Sequence, residues 1–230
     1  MFFNIFSFWH DNRPLIRKPF YFALRSLFVL LFCLACLGPS LVWAQPATKI
    51  LIVGDSLSSE YGIARQTGWV HLLRLRLAEN KYNAVVFNAS ISGDTTSGGL
   101  TRLPALLEQH QPHIVLIELG GNDALRGLPL SGSELNLTQM VKLSKQAGAK
   151  VILAGMQIPP NYGEQYTSQF KALFEIIAQQ NQIALIPFFL AGLETRPDLF
   201  ISDNIHPNEA AQETILNNVW PVLIKVMPHP

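Results

Sequence analysis

Cysteine is scarce in this chain of 230 residues, and both cysteines, Cys33 and Cys36, lie within the first 44 residues. Residues 45–230 contain none, so disulfides cannot hold that part of the protein together. A domain of this length buries roughly 70% of the surface that its unfolded chain exposes, which gives it a core of its own. The segment also lacks internal repeats and low-complexity tracts. We therefore expect a single domain over residues 45–230.

An excess of positive charge is missing as well. Residues 45–230 carry 13 basic against 15 acidic side chains, and such a balance cannot neutralise a run of phosphates. No Gly-x-Gly-x-x-Gly motif follows the first apolar run and no phosphate loop is present, so nucleotide binding has no support. The composition excludes an electrostatic nucleic-acid binder.

The first 44 residues have the plan of a secretory signal peptide. Basic side chains precede an apolar run from Leu27 to Leu37, and the segment ends on Val42-Trp43-Ala44, which is typical of a cleavage site. The run is too short to span a hydrocarbon core of roughly 30 Å comfortably. The sequence predicts cleavage after Ala44 and a periplasmic or secreted protein. An uncleaved segment that anchors the chain to the inner membrane is the alternative.

Five short apolar runs alternate with segments of helical periodicity, which are residues 69–77, 100–107, 170–177 and 211–223. Each run is apolar on both faces, as buried parallel strands are. This alternation predicts a parallel sheet covered on both faces by right-handed crossovers. The expected fold is a three-layer α/β/α domain of the flavodoxin-like type with a five-stranded parallel sheet. The predicted strands are residues 50–53, 84–87, 114–117, 151–154 and 183–186.

Polar and glycine residues concentrate after these strands, at the sheet edge where open α/β folds bind ligands. Ser56 is the candidate nucleophile, in a turn where Gly54 lets the backbone bend sharply. His206 is the candidate general base, and Asp203 lies close enough in sequence to orient its imidazole. The pattern indicates acyl transfer.

Three groups from adjacent strand ends can converge on the oxyanion that acyl transfer creates. They are the backbone N–H groups of Ser56 and Gly93 and the side-chain amide of Asn122. Each has a structural alternative, because serine, glycine and asparagine are also common turn residues. Their position on one edge of the predicted sheet favours the catalytic interpretation.

Other chemistries have weaker support. Asp203 and His206 could form half of a metal site, but the histidines at 71, 110 and 113 lie away from the strand-end loops. The segment around Ser56 lacks the second glycine of a Gly-x-Ser-x-Gly elbow. Carboxylates at Asp55, Asp94 and Asp123 suggest paired-carboxylate hydrolysis, although their position beside turn residues favours hydrogen bonds that brace the loops.

Four segments together resemble the sequence blocks of the SGNH, or GDSL, hydrolases in order and in approximate spacing. The similarity extends from about Lys49 to Trp220 and is greatest to exported bacterial members that hydrolyse thioesters, aryl esters and lysophospholipids. The four segments are residues 54–58, 88–95, 120–123 and 203–207.

The resemblance implies a catalytic triad of Ser56, Asp203 and His206, with Gly93 and Asn122 as oxyanion donors beside the Ser56 amide. It also implies a groove for the acyl chain, with one wall after the oxyanion asparagine and another after the fourth strand. The residues expected to bind substrate in these walls are Ala124, Leu125, Ile158, Pro159 and Pro160.

We therefore expect a monomeric serine hydrolase without cofactor or metal, which cleaves small-molecule acyl esters, thioesters or lysophospholipids and contacts membranes transiently. Two alternatives remain. The same triad would serve a carbohydrate O-deacetylase, and the same fold would serve a catalytically silent domain that binds lipids or glycans, because a fold does not determine a function.

Overall fold

The computed structural model describes residues 46–228, so the predicted signal peptide and its cleavage site after Ala44 lie outside the described residues. Five strands within this range form one sheet, and each lies within two residues of its predicted bounds. They are β1 (Thr48–Gly54), β2 (Ala84–Asn88), β3 (Ile114–Glu118), β4 (Lys150–Ala154) and β5 (Ala184–Ile186). All neighbouring strands are parallel, in the order β2-β1-β3-β4-β5. This is the flavodoxin-like order, and the predicted fold class is confirmed.

Six α-helices connect and cover the strands of the described range. They are α1 (Trp69–Glu79), α2 (Thr96–His110), α3 (Gly121–Leu125), α4 (Leu130–Gln146), α5 (Glu164–Asn181) and α6 (Gln212–Val226). Helices α1 and α6 pack against each other, whereas α4 packs between α2 and α5. The sheet between these two layers carries the core, and every residue of β3 is buried. Between residues 46 and 228, no helix is both long enough and apolar enough to cross a membrane.

Helix α4 has no counterpart among the helical segments predicted from the sequence. Its buried face includes Ser133 and Ser144 beside Leu137, Met140 and Val141. Two hydroxyl-bearing residues at buried positions interrupt the apolar period on which the prediction relied. The Ser144 hydroxyl donates to the carbonyl of Met140 one turn earlier, so its burial leaves no unpaired hydrogen-bonding group.

Strand β2 also differs from the expectation, because it is not buried on both faces. It lies at the edge of the sheet, where Val86 is buried but the side chain of Val85 is 44% exposed. The guanidinium of Arg74 donates two hydrogen bonds to the carbonyl of Val86. A charged side chain in this position occupies a backbone acceptor that a foreign strand would otherwise use.

Candidate active site

Ser56 lies in the turn that leaves β1, at the carboxyl edge of the sheet. Its side-chain oxygen is 2.9 Å from Nε2 of His206, although the two residues are 150 positions apart in the chain. Ser56 is 9% exposed, so it is largely shielded from bulk water, but it lines a groove at the carboxyl edge of the sheet. The distance is within the reach of direct proton transfer from hydroxyl to imidazole.

Asp203 and His206 belong to one tight turn. Oδ1 of Asp203 accepts the backbone N–H groups of Ile205 at 2.9 Å and of His206 at 3.0 Å, while Oδ2 lies 2.6 Å from Nδ1 of the His206 ring. Partial burial raises the pKa of the Asp203 carboxyl, but these hydrogen bonds outweigh it and lower the pKa to about 2. Asp203 is therefore ionised at neutral pH, and a carboxylate beside Nδ1 keeps the imidazole proton on that nitrogen. Nε2 is left free to accept a proton from Ser56.

Two further side chains contact the His206 ring or the residues that follow it. The ring of Tyr61 lies against the ring of His206, with 4.5 Å between the centroids. Gln212 is buried, and its Nε2 donates to the carbonyls of Pro207 and Asn208, the two residues after His206. Neither Tyr61 nor Gln212 was identified from the sequence, where a tyrosine in a loop and a glutamine at a helix start are ordinary.

The predicted oxyanion donors follow β1, β2 and β3, which are adjacent in the sheet. Among the described residues, the backbone N–H groups of Ser56 and Gly93 donate to no acceptor. Gly93 has a φ of +78°, which favours glycine at this position, and its carbonyl accepts a hydrogen bond from Arg126. The Asn122 amide donates to Oδ2 of Asp55 at 2.9 Å. An amide nitrogen carries two hydrogens, so one of them remains for an oxyanion.

The three aspartates brace the strand-end loops, as expected. Asp55 accepts the backbone N–H of Leu57 besides the Asn122 amide. Asp94 pairs with Arg102. Asp123 accepts both the backbone N–H and the hydroxyl of Thr96 at the start of α2. These contacts tie consecutive loops to one another and fix the distances between the catalytic candidates.

Gly54 has a different role from the expected one. Its φ lies outside the left-handed region, so backbone freedom is not what requires glycine here. A Cβ at position 54 would lie 2.6 Å from Oε2 of Glu118 and 2.9 Å from the hydroxyls of Ser58 and Ser90. Glycine is needed because a buried polar cluster approaches the backbone closely.

Glu118, a member of this cluster, was not identified from the sequence. It is the last residue of β3 and has no exposed surface. A charged residue at the end of an otherwise apolar buried strand was the available signal, because glutamate is almost never fully buried without a specific partner. Burial first, and then the nearby charge of Asp55, raise the pKa of Glu118 well above its usual value.

An open groove of about 620 Å³ begins at Ser56 and runs along the carboxyl edge of the sheet. Of the predicted wall residues, Leu125, Ile158, Pro159 and Pro160 line it. Ala124 does not, because it has no exposed surface and packs into the core. Five further apolar residues that line the groove were not predicted: Phe188, Leu190, Leu193, Pro197 and Phe200.

Two of the histidines that a metal site would need lie away from this groove. The ring of His110 stacks on Phe87, and Nδ1 of His113 accepts the backbone N–H of Lys49, near the beginning of β1. His113 thus sits at the amino edge of the sheet, opposite Ser56. The structure keeps these side chains apart from the Asp203 and His206 turn.

Comparison with known proteins agrees with this geometry. Residues 52–214 match the GDSL-like lipase/acylhydrolase family. The chain is 48% identical to the esterase TesA of Pseudomonas aeruginosa over 189 residues, which cover 82% of this chain and 94% of that protein. It is 43% identical to the thioesterase 1/protease 1/lysophospholipase L1 of Escherichia coli K12, over 75% of this chain and 81% of that protein. The crystal structure of the esterase EstA from Pseudoalteromonas sp., inhibited by monoethylphosphonate, superimposes with a TM-score of 0.74 at 43% identity and covers 77% of this chain and 97% of that one.

Proposed function

Given that the chain belongs to the GDSL-like lipase/acylhydrolase family and is an ester hydrolase, we propose that it works through an acyl-enzyme formed on Ser56. The observation that carries the proposal is the unbroken line of contacts from Asp203 Oδ2 through the His206 ring to Ser56 Oγ, at 2.6 and 2.9 Å. This is the arrangement that activates a serine hydroxyl.

In the first half of the proposed reaction, Ser56 Oγ attacks the substrate carbonyl carbon while its proton moves to Nε2 of His206. The ionised Asp203 stabilises the imidazolium that results. The carbonyl oxygen becomes an oxyanion, which the N–H groups of Ser56 and Gly93 and the free hydrogen of the Asn122 amide stabilise. His206 then protonates the leaving alcohol or thiol as the bond to the acyl carbon breaks.

In the second half, water attacks the acyl carbon of the ester on Ser56. His206 accepts the proton of this water, and the tetrahedral intermediate forms in the same oxyanion site. Its collapse returns the proton to Ser56 Oγ and releases the carboxylic acid. Each atom and proton is accounted for by the substrate, one water and this chain's own residues.

The groove indicates the class of substrate. Its walls are largely apolar, and Ser56 lies among the residues that line it. Apolar walls favour an alkyl chain of some length, because each buried methylene contributes about 0.8 kcal/mol. Long-chain acyl esters, acyl thioesters and lysophospholipids share such a chain, and the names of the relatives include thioesterase and lysophospholipase. A carbohydrate O-deacetylase needs room only for an acetyl group beside a polar ring, which this groove does not favour.

Labelling with a fluorophosphonate probe tests the catalytic part of the proposal. The probe should modify wild-type protein on the peptide that contains Ser56, and Ser56→Ala should abolish labelling. A Ser59→Ala variant, which changes a serine three residues away, should label like the wild type. Absence of labelling in folded wild-type protein would favour a silent binding domain.

A series of p-nitrophenyl esters from two to sixteen carbons tests the substrate part. We expect kcat/KM to rise with chain length until the groove is filled, since each additional methylene is buried on binding. A maximum at two carbons with a steep decline would contradict the acyl-groove assignment and favour a deacetylase.

We also propose that the protein is exported and processed, since the first 44 residues match the plan of a signal peptide. Intact-mass analysis of the exported protein should give a chain that begins at Gln45. Recovery of residues 1–44 on a membrane-bound form would contradict cleavage and support the anchored alternative.

A further inference from the structure

A buried polar cluster lies directly beneath the nucleophile turn. Glu118 ends β3 opposite Gly54 of β1 in the sheet register. Its Oε2 accepts a hydrogen bond from the hydroxyl of Ser58 at 2.7 Å and one from the backbone N–H of Asp55 at 3.3 Å. The indole N–H of Trp69 donates to the same Ser58 hydroxyl at 3.2 Å. The Glu118 carboxyl thus joins strand β3 to the nucleophile turn, and the Ser58 hydroxyl joins both to helix α1.

Within residues 46–228, no cation pairs with Glu118. The charge that acts on it is that of the Asp55 carboxyl, and Asp55 is also the residue whose backbone N–H Oε2 accepts. The guanidinium of Arg102 donates to the carbonyls of Gly54 and Ala89 and to Asp94 instead. Two adjacent carboxylates without a cation would repel each other strongly in a buried site, so the pair retains one proton between them.

The hydrogen bonds indicate which carboxyl carries this proton. Asp55 accepts from Leu57 on Oδ1 and from Asn122 on Oδ2, and both donors favour an ionised acceptor. Oε1 of Glu118 has no partner among the described residues. Burial raises the pKa of Asp55 to about 6, against the opposing effect of its hydrogen bonds, whereas burial and the charge of Asp55 act in the same direction on the pKa of Glu118. Glu118 is therefore the neutral acid and Asp55 the carboxylate.

We propose that Glu118 is a positioning residue for the oxyanion site: it accepts the backbone N–H of Asp55 and the hydroxyl of Ser58, and it thereby holds Asp55 where Oδ2 fixes the Asn122 amide. Asn122 has a rotatable amide, and its contact with Asp55 determines where the second hydrogen of Nδ2 points. Glu118 itself does not touch the substrate. The proposal rests on the proposed function, because it assumes that Asn122 stabilises the oxyanion.

Two substitutions of Glu118 test its hydrogen bonds, because one keeps them and the other removes them. Glu118→Gln keeps an acceptor for the Ser58 hydroxyl and the Asp55 N–H. Glu118→Ala removes both contacts. We expect Glu118→Gln to retain kcat within about 3-fold of wild type and Glu118→Ala to lower kcat on the order of 10- to 100-fold, with KM within about 2-fold in both, because orientation of an oxyanion donor affects the transition state rather than ground-state binding.

The decisive measurement repeats Glu118→Ala in an Asn122→Ala background, with kcat taken per folded molecule. If Glu118 acts through Asn122, its loss should cost less than about 2-fold once that amide is gone. Ser144→Ala, which removes a buried hydroxyl bond inside α4 far from the site, is the control for a general effect of destabilisation and should leave kcat unchanged in both backgrounds.

Each outcome has one interpretation. Equal losses of kcat from Glu118→Ala with and without Asn122 would overturn the positioning role, as would a Glu118→Gln variant as impaired as Glu118→Ala while equally folded. If Asn122→Ala alone leaves kcat unchanged, the oxyanion assignment of the proposed function fails first. If Asn122→Ala is impaired and the losses are additive, only the inference about Glu118 fails.

Discussion

Asp203→Asn separates the chemical contribution of Asp203 from its contribution to the turn. An asparagine oxygen can replace Oδ1 and still accept the backbone N–H groups of Ile205 and His206. The amide nitrogen then takes the place of Oδ2, which lies 2.6 Å from Nδ1 of His206. Because an amide N–H needs an acceptor, Nδ1 must give up its proton, and the ring proton moves to Nε2, which faces Ser56. The imidazole can no longer accept the proton of the nucleophile.

The expected loss follows from this change of tautomer. An asparagine in the corresponding position of serine proteases lowers kcat about 10⁴-fold, and we expect a similar loss here. Stability should change by less than ~1 kcal/mol, because both backbone hydrogen bonds survive. Asp203→Ala removes all three contacts and should lower kcat as far. It should also reduce the free energy of unfolding by ~1–2 kcal/mol, the value of two charge-assisted bonds lowered for the partial exposure of the carboxylate.

Turnover of p-nitrophenyl butyrate and urea denaturation, measured on the same preparations, compare the two variants. The reasoning would be refuted by an Asp203→Asn protein that is as stable as the wild type and keeps more than a tenth of its kcat. It would equally be refuted if Asp203→Ala had the same free energy of unfolding as the wild type, since the turn would then not depend on the carboxylate.

Three further predictions concern the nucleophile and the cluster beneath it. Ser56→Ala and His206→Ala should each remove nearly all turnover and their combination should cost little more, because the two act as one unit; losses in kcat that multiplied fully would disprove this. Gly54→Ala should lower the melting temperature and kcat, because its Cβ would lie 2.6 Å from Oε2 of Glu118, whereas Gly132→Ala, with no heavy atom within 4 Å of the added Cβ, should do neither. The free energy of unfolding should fall as the pH rises from about 4 through 6. The reason is that the folded protein holds protons on Asp55 and Glu118 more tightly than the unfolded chain does. The rise in the pKa of Asp55 from 3.8 to about 6 corresponds to ~3 kcal/mol. Urea titrations across this range should show a shallower decline for Glu118→Gln, and an identical slope would contradict the raised pKa of Glu118.

Local sequence patterns determined the sheet of this protein and the edge of the sheet at which the candidate site lies. The five apolar runs were sufficient to predict the parallel sheet, because strands buried inside an α/β fold need an unbroken apolar run and little else. The rule that ligands bind beyond the carboxyl ends of such strands then selected Ser56, Gly93, Asn122 and the 203–206 turn. These residues are distant in the chain but lie at one edge by topology alone, which is why reasoning from the sequence reached them.

Only the tertiary structure decided the features that depend on contacts between residues that are distant in the chain. Helix α4 escaped prediction because two serines interrupt its buried face; the Ser144 hydroxyl is satisfied within the helix, whereas the Ser133 hydroxyl donates to Asp123 in α3. Ala124 left the groove wall because it is buried in the core. The reason for glycine at position 54 is a carboxyl group on a neighbouring strand 64 residues away. Sequence periodicity indicates which face of a helix or strand is buried, but it does not identify the side chains of other elements that pack against that face. Contacts between elements determine the charge pairing, the burial of Glu118 and the orientation of Asn122. These contacts form only when the strands pack side by side.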